Sequence, residues 1–275
     1  MTSPLPSRFW SDLTAADFAA LDGQRTIAVL PVAAIEQHGP HLPLSVDADI
    51  SQGVIGAALP HLPPALPVLF LPPQVVGFSP EHAAFAGTLT LKAETLIRIW
   101  TELGDAVADA GVKKFLLFNT HGGQVGLLDP VARDLRARRG LLAFSTSWFH
   151  LPLLDAEGRD VNARFTAREH RFGIHAGEVE TALMRALRPD LVRMDEARDF
   201  RSTSEDRAEH YPVLGNGRSA RFAWQTQDLH PSGAVGNAAA ATVDNGRAVL
   251  DAAGRAFAKL LTEIDQLPLD TLRHR

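Results

Sequence analysis

No cysteine occurs among the 275 residues, so the chain has no disulfide, no thiolate nucleophile and no sulfur ligand for zinc. Any metal has to be held by imidazole and carboxylate. Long apolar runs are missing as well: nothing approaches the roughly 18 residues of a membrane span. The opening MTSPLPSRFW lacks a basic segment followed by an apolar one. These absences lead us to expect a cytoplasmic protein with no membrane partner. Positive charge is not in excess either, with 27 Lys and Arg against 32 Asp and Glu and a formal net charge of -5. Such a chain has no general attraction for phosphate backbones, so small molecules are the expected partners and nucleic acid is not.

What is present is enough apolar residue, 45% of the total, to bury one large core, and we expect a single domain over residues 1–275. Short, continuously apolar runs at 26–35, 67–76, 112–118 and 141–148 have the pattern of strands buried on both faces. Helical patterning lies between them at about 49–59, 93–110 (stopped by Gly111) and 124–138. Further helices are expected from Glu178 to before Pro189 and over about 239–266, the latter weakened locally by Gly246 and Gly254. Such alternation predicts an α/β fold, a three-layer α/β/α sandwich with a mostly parallel central sheet and ligands at the C-terminal ends of its strands. Two connections, about 151–177 and 195–236, lack clear periodicity; loops of that length are commonly functional or lie between subunits.

Directly after the first apolar run, Glu36, His38, His41 and Asp47 fall within one short segment. Side chains two apart in an extended chain share a face, so Glu36 and His38 can address one point, and the turn at Gly39-Pro40 lets Asp47 fold back from a loop. A second strand end runs into Asn119-Thr120-His121-Gly122-Gly123. Its two glycines permit close backbone approach, and a phosphate-cradling turn is the weaker reading, since no P-loop or dinucleotide-fingerprint spacing is present. A third cluster, His175-Ala176-Gly177-Glu178-Val179-Glu180, opens a helix, where acidic residues also simply complement the helix dipole. Residues two apart on a helix point about 200° from each other, so only one of Glu178 and Glu180 should be a ligand. Ser79 and His82 follow the second strand without the G-x-S-x-G elbow of a serine hydrolase. They are read as substrate-contacting or loop-packing residues. Trp148 and Trp224 are candidates for an aromatic lid, with core packing as the alternative.

Taken together, Glu36-Gln37-His38-Gly39-Pro40-His41, Asp47, Gly77-x-Ser79-x-Glu81-His82, Gly87-Thr88, Asn119-x-His121-Gly122-Gly123 and His175-Ala176-Gly177-Glu178-x-Glu180-Thr181 resemble the creatininase family. The resemblance implies a three-layer fold, commonly a homohexamer, and two divalent ions per subunit (zinc or manganese, with iron also suitable). A hydroxide bridging those ions would attack the amide C–N bond of a small molecule. It further implies Glu36, His38, Asp47 and His121 as metal ligands, Asp47 bridging, and His175 as a proton shuttle. Creatininase proper carries a Tyr-Glu pair after the last histidine, the Glu a ligand, where this chain has Gly122-Gly123. We therefore expect Glu178 to supply the missing metal ligand beside His175, with Glu180 as second choice, and Ser79, His82, Gly122 and Gly123 to contact substrate. The substitution also makes creatinine a less suitable substrate than other cyclic amides, formamides or peptide-like bonds. A peptide-trimming maturation enzyme and a non-catalytic metal-binding scaffold are the alternatives.

Overall fold

The computed structural model describes residues 5–273; residues 1–4 and 274–275, part of the expected 1–275 span, lie outside the described residues. After a short helix α1 (Ala15–Ala19), strand β1 (Ile27–Val32) leads to helix α2 (Val46–Ala58), strand β2 (Val68–Phe70) and helix α3 (Ala93–Asp109). Strand β3 (Lys114–Asn119), helix α4 (Val125–Arg139) and strand β4 (Leu142–Ser147) follow. The second half holds α5 (Ala167–Phe172), α6 (Glu178–Leu187), β5 (Asp199–Phe200), α7 (Thr203–His210), α8 (Thr226–Leu229), β6 (Gly236–Asn237) and α9 (Val243–Gln266).

The main sheet has the order β2-β1-β3-β4 with every pair parallel. Strands β1, β2 and β3 are buried on both sides because successive side chains alternate between two cores, while the edge strand β4 is only partly covered. Ile27, Val29, Leu116 and Phe118 face α2, α6 and α9, where they meet Ile50, Leu183 and Phe257. Ala28, Leu30, Phe115 and Leu117 face α3 and α4, where they meet Trp100 and Leu135. The result is the expected α/β/α sandwich, with a two-stranded antiparallel sheet of β5 and β6 beside it.

Four expectations need adjustment. The run 67–76 forms a strand only over Val68–Phe70, because Pro72 and Pro73 have no N–H to give to a ladder. The long connections are not structureless: α5 lies in the first and β5, α7, α8 and β6 in the second. Gly246 and Gly254 do not weaken α9 but let it close on its neighbours, since a Cβ there would strike the backbone of Ala182 on α6 and of Ala57 on α2. Trp148 belongs to the first core rather than to a lid. Among the described residues, no helix is long and apolar enough to cross a membrane.

Lys114 ties the sheet to the last helix. Its ammonium donates to the carbonyls of Ile264, Asp265 and Leu267 at 2.7, 2.6 and 3.0 Å, the acceptors a helix leaves unpaired at its C-terminal end. Replacing Lys114 by Met should lower the unfolding free energy by about 2–3 kcal/mol. Denaturant titration of the metal-free protein measures this, and an unchanged midpoint would refute it.

Candidate metal centre

The segments after β1 and β3 leave the C-terminal edge of the sheet, and α6 joins them there from the second half of the chain. Beyond Val32 the chain stays extended and delivers Glu36, Gln37 and His38, and Gly39, with φ +69°, turns it back. Helix α2 begins at Val46 rather than near residue 49, so Asp47 stands in its first turn and not in a loop. At the end of β3 the Asn119 amide donates to His121 O (2.7 Å) and Ser147 Oγ (2.9 Å) and accepts from His121 N (3.1 Å), fixing the turn that carries His121. Thr120 Oγ1 donates to Asp47 O at 2.8 Å and joins the two strand exits. Glu180 comes from the first turn of α6.

These side chains form three overlapping groups: Glu36, Asp47 and His121; His38, Asp47 and Glu180; and Glu36, His38 and His175. Within each group the donor atoms lie within 4.8 Å of one another. Asp47 belongs to the first two, the place of a bridging carboxylate. Glu36 Oε2, His38 Nε2 and Asp47 Oδ2 are buried with no hydrogen-bond partner among the described residues. Buried polar atoms are ordinarily paired, so orphaned donor atoms on three adjacent residues fit a cation site.

The other ends of these groups are held. His38 Nδ1 donates to Glu36 O at 3.0 Å, leaving Nε2 as a lone pair 3.9 Å from Glu180 Oε2. His121 Nε2 donates to Phe78 O at 2.9 Å and turns Nδ1 toward Asp47 Oδ2 at 3.5 Å. Gln37 Nε2 donates to His82 Nδ1 at 2.7 Å, so His82 Nε2 carries the proton and donates to Glu36 Oε1 at 3.2 Å. His175 Nε2 donates to Gln37 O at 2.8 Å, which turns Nδ1 toward Glu36 Oε1 at 3.7 Å. Partners of this kind set tautomer and orientation in metal sites. The sequence pattern assigns Gln37 no role, and Thr226, which donates to Glu81 O at 2.8 Å and lies 3.0 Å from His82 Nδ1, has no sequence signal at all.

Without a cation the cluster balances its charges by holding protons. Burial, followed by the charge of Glu36, pushes Asp47 well above the usual carboxylate range. Burial would raise Glu36 too, but His121, His82 and His175 pull it below its ordinary value. Burial also works against a charged His121, yet the carboxylates of Glu36, Asp47 and Glu81 raise it to about 10. Burial, with His175 adding to it, lowers His38 well below the ordinary histidine value and His82 to about 3. The Glu180 and Glu81 side chains are 20% and 13% exposed while Glu36 and His38 are 1% exposed, so the site opens on the side of those two acids.

Glu178 does not join the cluster, contrary to expectation. As the first residue of α6 its side chain faces Asn245 and His170, on the other side of the helix from His38. Glu180, two positions on, is the one that reaches His38 and Asp47. Ser79 and His82 are both drawn in, Ser79 Oγ lying 3.4 Å from His121 Nε2 and His82 supporting Glu36. Gly122 borders open space. Gly123 has a steric purpose, because a Cβ there would overlap the carboxylate of Glu81, which lies 3.8 Å from His121 Nε2.

The creatininase family model, described as creatinine amidohydrolase, matches residues 11–261. The chain belongs to the creatininase family. It shares 31% identity over 227 residues with a mycofactocin precursor peptide peptidase of Mycobacterium ulcerans, covering 80% of this chain and 78% of that protein. With the creatinine amidohydrolase of Pseudomonas putida it shares 25% over 197 residues, 68% of this chain and 74% of that one. A solved creatininase variant of Zn-Zn type has the same fold, with a TM-score of 0.72 at 23% identity over 94% of this chain and 98% of that one. Creatininase-family proteins such as these are hydrolases of C–N bonds, and this chain is an enzyme of that class.

Because the raised value of His121 means that the metal-free centre holds a proton at neutral pH, a cation has to displace it. Metal affinity should therefore rise with pH, by about tenfold per pH unit for each proton displaced. In the metal-free chain the same shift stabilises the fold fully below the ordinary histidine range and is lost as pH rises through about 10. Calorimetric titration of zinc at neutral pH in two buffers of different ionisation enthalpy should register proton release; equal heats in both would contradict it.

Proposed function

We propose that this chain is a two-cation amidohydrolase that cleaves a peptide-like C–N bond in a small substrate. The convergence of the orphaned Glu36 Oε2, His38 Nε2 and Asp47 Oδ2 carries this reading. Glu36, Asp47 and His121 would hold one cation, and His38, Asp47 and Glu180 the other. Nitrogen and oxygen donors of this mix suit zinc, manganese and iron alike. Three carboxylates and one hydroxide would balance two divalent charges, as a desolvated site requires. When bound, such a pair lowers the pKa of a bridging water and polarises the scissile carbonyl.

The chain's own groups supply the rest. His82 and Gln37 keep Glu36 oriented, and the hydrogen bond from His175 Nε2 to Gln37 O keeps the free Nδ1 of that ring facing the cluster. At Nδ1 the imidazole can accept a proton from water and pass it to the departing nitrogen, which leaves poorly as an anion. A peptide-like bond is favoured over creatinine by the higher identity to a precursor peptide peptidase than to a creatinine amidohydrolase. The Gly122-Gly123 turn, whose space beside His121 is taken by Glu81, further separates the site from that of creatininase proper.

Metal analysis of the purified protein, with a screen of short peptides, formamides and cyclic amides against metal-depleted enzyme, tests the reading. Metal-dependent release of an amine from a peptide is expected, while hydrolysis of cyclic amides alone would reassign the substrate and metal-independent turnover would remove the mechanism. Glu180→Gln should weaken one of two cations by about 10–100-fold, the range seen when metal sites lose a supporting group; Glu178→Gln should leave both in place. The reverse pattern in a zinc titration would return the ligand to Glu178. His175→Ala should load both cations and lose about 100-fold or more in kcat, and an unchanged kcat would exclude it from proton transfer.

A further inference from the structure

Glu169 lies on α5, outside the ligand cluster, and no step described above uses it. Yet it is buried to 3% exposure, and among the described residues no cationic side chain pairs with it. A buried carboxylate left without a counter-charge is costly unless hydrogen bonds replace the water. Here the backbone N–H of Glu178 donates to Oε1 at 2.6 Å and that of Asn237 to Oε2 at 2.9 Å. The first of these is an unpaired amide at the start of α6, where a negative charge is also favoured by the helix dipole. Room for the carboxylate is made by three glycines: a Cβ on Gly173, Gly177 or Gly236 would overlap it.

Both donors lead to the metal centre. Glu178 opens the helix whose first turn carries Glu180, and Glu180 Oε2 accepts from Ala176 N at 2.6 Å. Ala176 itself adopts φ +54°, a left-handed conformation that residues with a Cβ seldom take and that needs surrounding contacts to hold it. Asn237 continues the segment in which Val235 N donates to His175 O at 2.9 Å. One carboxylate thus clamps two backbone pieces, one leading to Glu180 and the other to His175.

We propose that Glu169 is a positioning residue of the metal centre, its carboxylate, seated among Gly173, Gly177 and Gly236, setting where Glu180 and His175 stand. The proposal rests on the two-cation reading above. Two substitutions perturb the clamp differently. Glu169→Gln turns one acceptor into a donor facing an N–H, whereas Gly173→Ala keeps the charge and displaces the carboxylate. Zinc titration of the metal-free proteins by calorimetry, thermal unfolding without metal, and kcat and KM on an amide substrate are the readouts. Both variants should bind the first cation as the wild type does, bind the second about 10–100-fold more weakly and lose kcat with KM little changed. Variants that load both cations at wild-type affinity overturn the proposal, even if their metal-free thermal stability falls. So does failure of both to fold, which would assign Glu169 to the fold alone. A wild type that binds fewer than two cations overturns the two-cation reading and this proposal with it, while a two-cation wild type with unaffected variants overturns this proposal only.

Discussion

Like charges buried within reach of one another constrain everything else in this protein. Glu36, Asp47 and Glu180 converge at the C-terminal edge of the parallel sheet, and carboxylates so placed repel unless positive charge stands between them. Among the described residues no lysine or arginine serves the purpose; the site has imidazoles and backbone groups that hold each ring by its far nitrogen. A centre arranged this way is rigid and electrostatically unfinished, which is the condition for tight binding of small multivalent cations. The cluster is nearly closed to solvent, and Glu180 and Glu81 form its more exposed, acidic rim.

The architecture serves that convergence. In a parallel sheet every strand ends on the same side, so ligands far apart in sequence arrive at one edge without any long loop having to bend toward another. β1 and β3 are neighbours, and their exits place Glu36, His38 and His121 side by side. The helix following β1 returns Asp47 from its first turn, and α6, packed against α2 and α9, brings in Glu180. Each contribution comes from an element end that is itself anchored in one of the two cores, so the site inherits the stiffness of the sandwich.

Much of this was legible in the residues. Apolar runs identified β1 and β3, because strands covered on both faces need no polar alternation; β4, at the sheet edge, is apolar only in its first half, and Ser145 on it is exposed. The clusters after β1 and β3 fell where such a fold collects ligands. The choice between Glu178 and Glu180 was not legible, since helical spacing says that the two diverge but not which one faces the sheet; that depends on how α6 rotates onto α2 and α9. The start of α2 was legible only approximately: the proline- and glycine-containing segment before it reads as a loop up to Asp47, although Ser45 stands at the N-cap position, its hydroxyl hydrogen-bonded to Asp49 instead of to the backbone. The parts played by Gln37, Thr226 and Glu169 are tertiary throughout, each linking segments distant in sequence, and no local pattern encodes them.

The overlap between Gly123 and Glu81 joins two segments far apart in sequence. A side chain at the first position and a carboxylate in its present place at the second are mutually exclusive, so the rim acid keeps its place only while residue 123 has no side chain. A larger residue there would push the Glu81 carboxylate aside and press on the His121 ring as well. The missing side chain at 123 thus acts as a positional constraint on a distant acid.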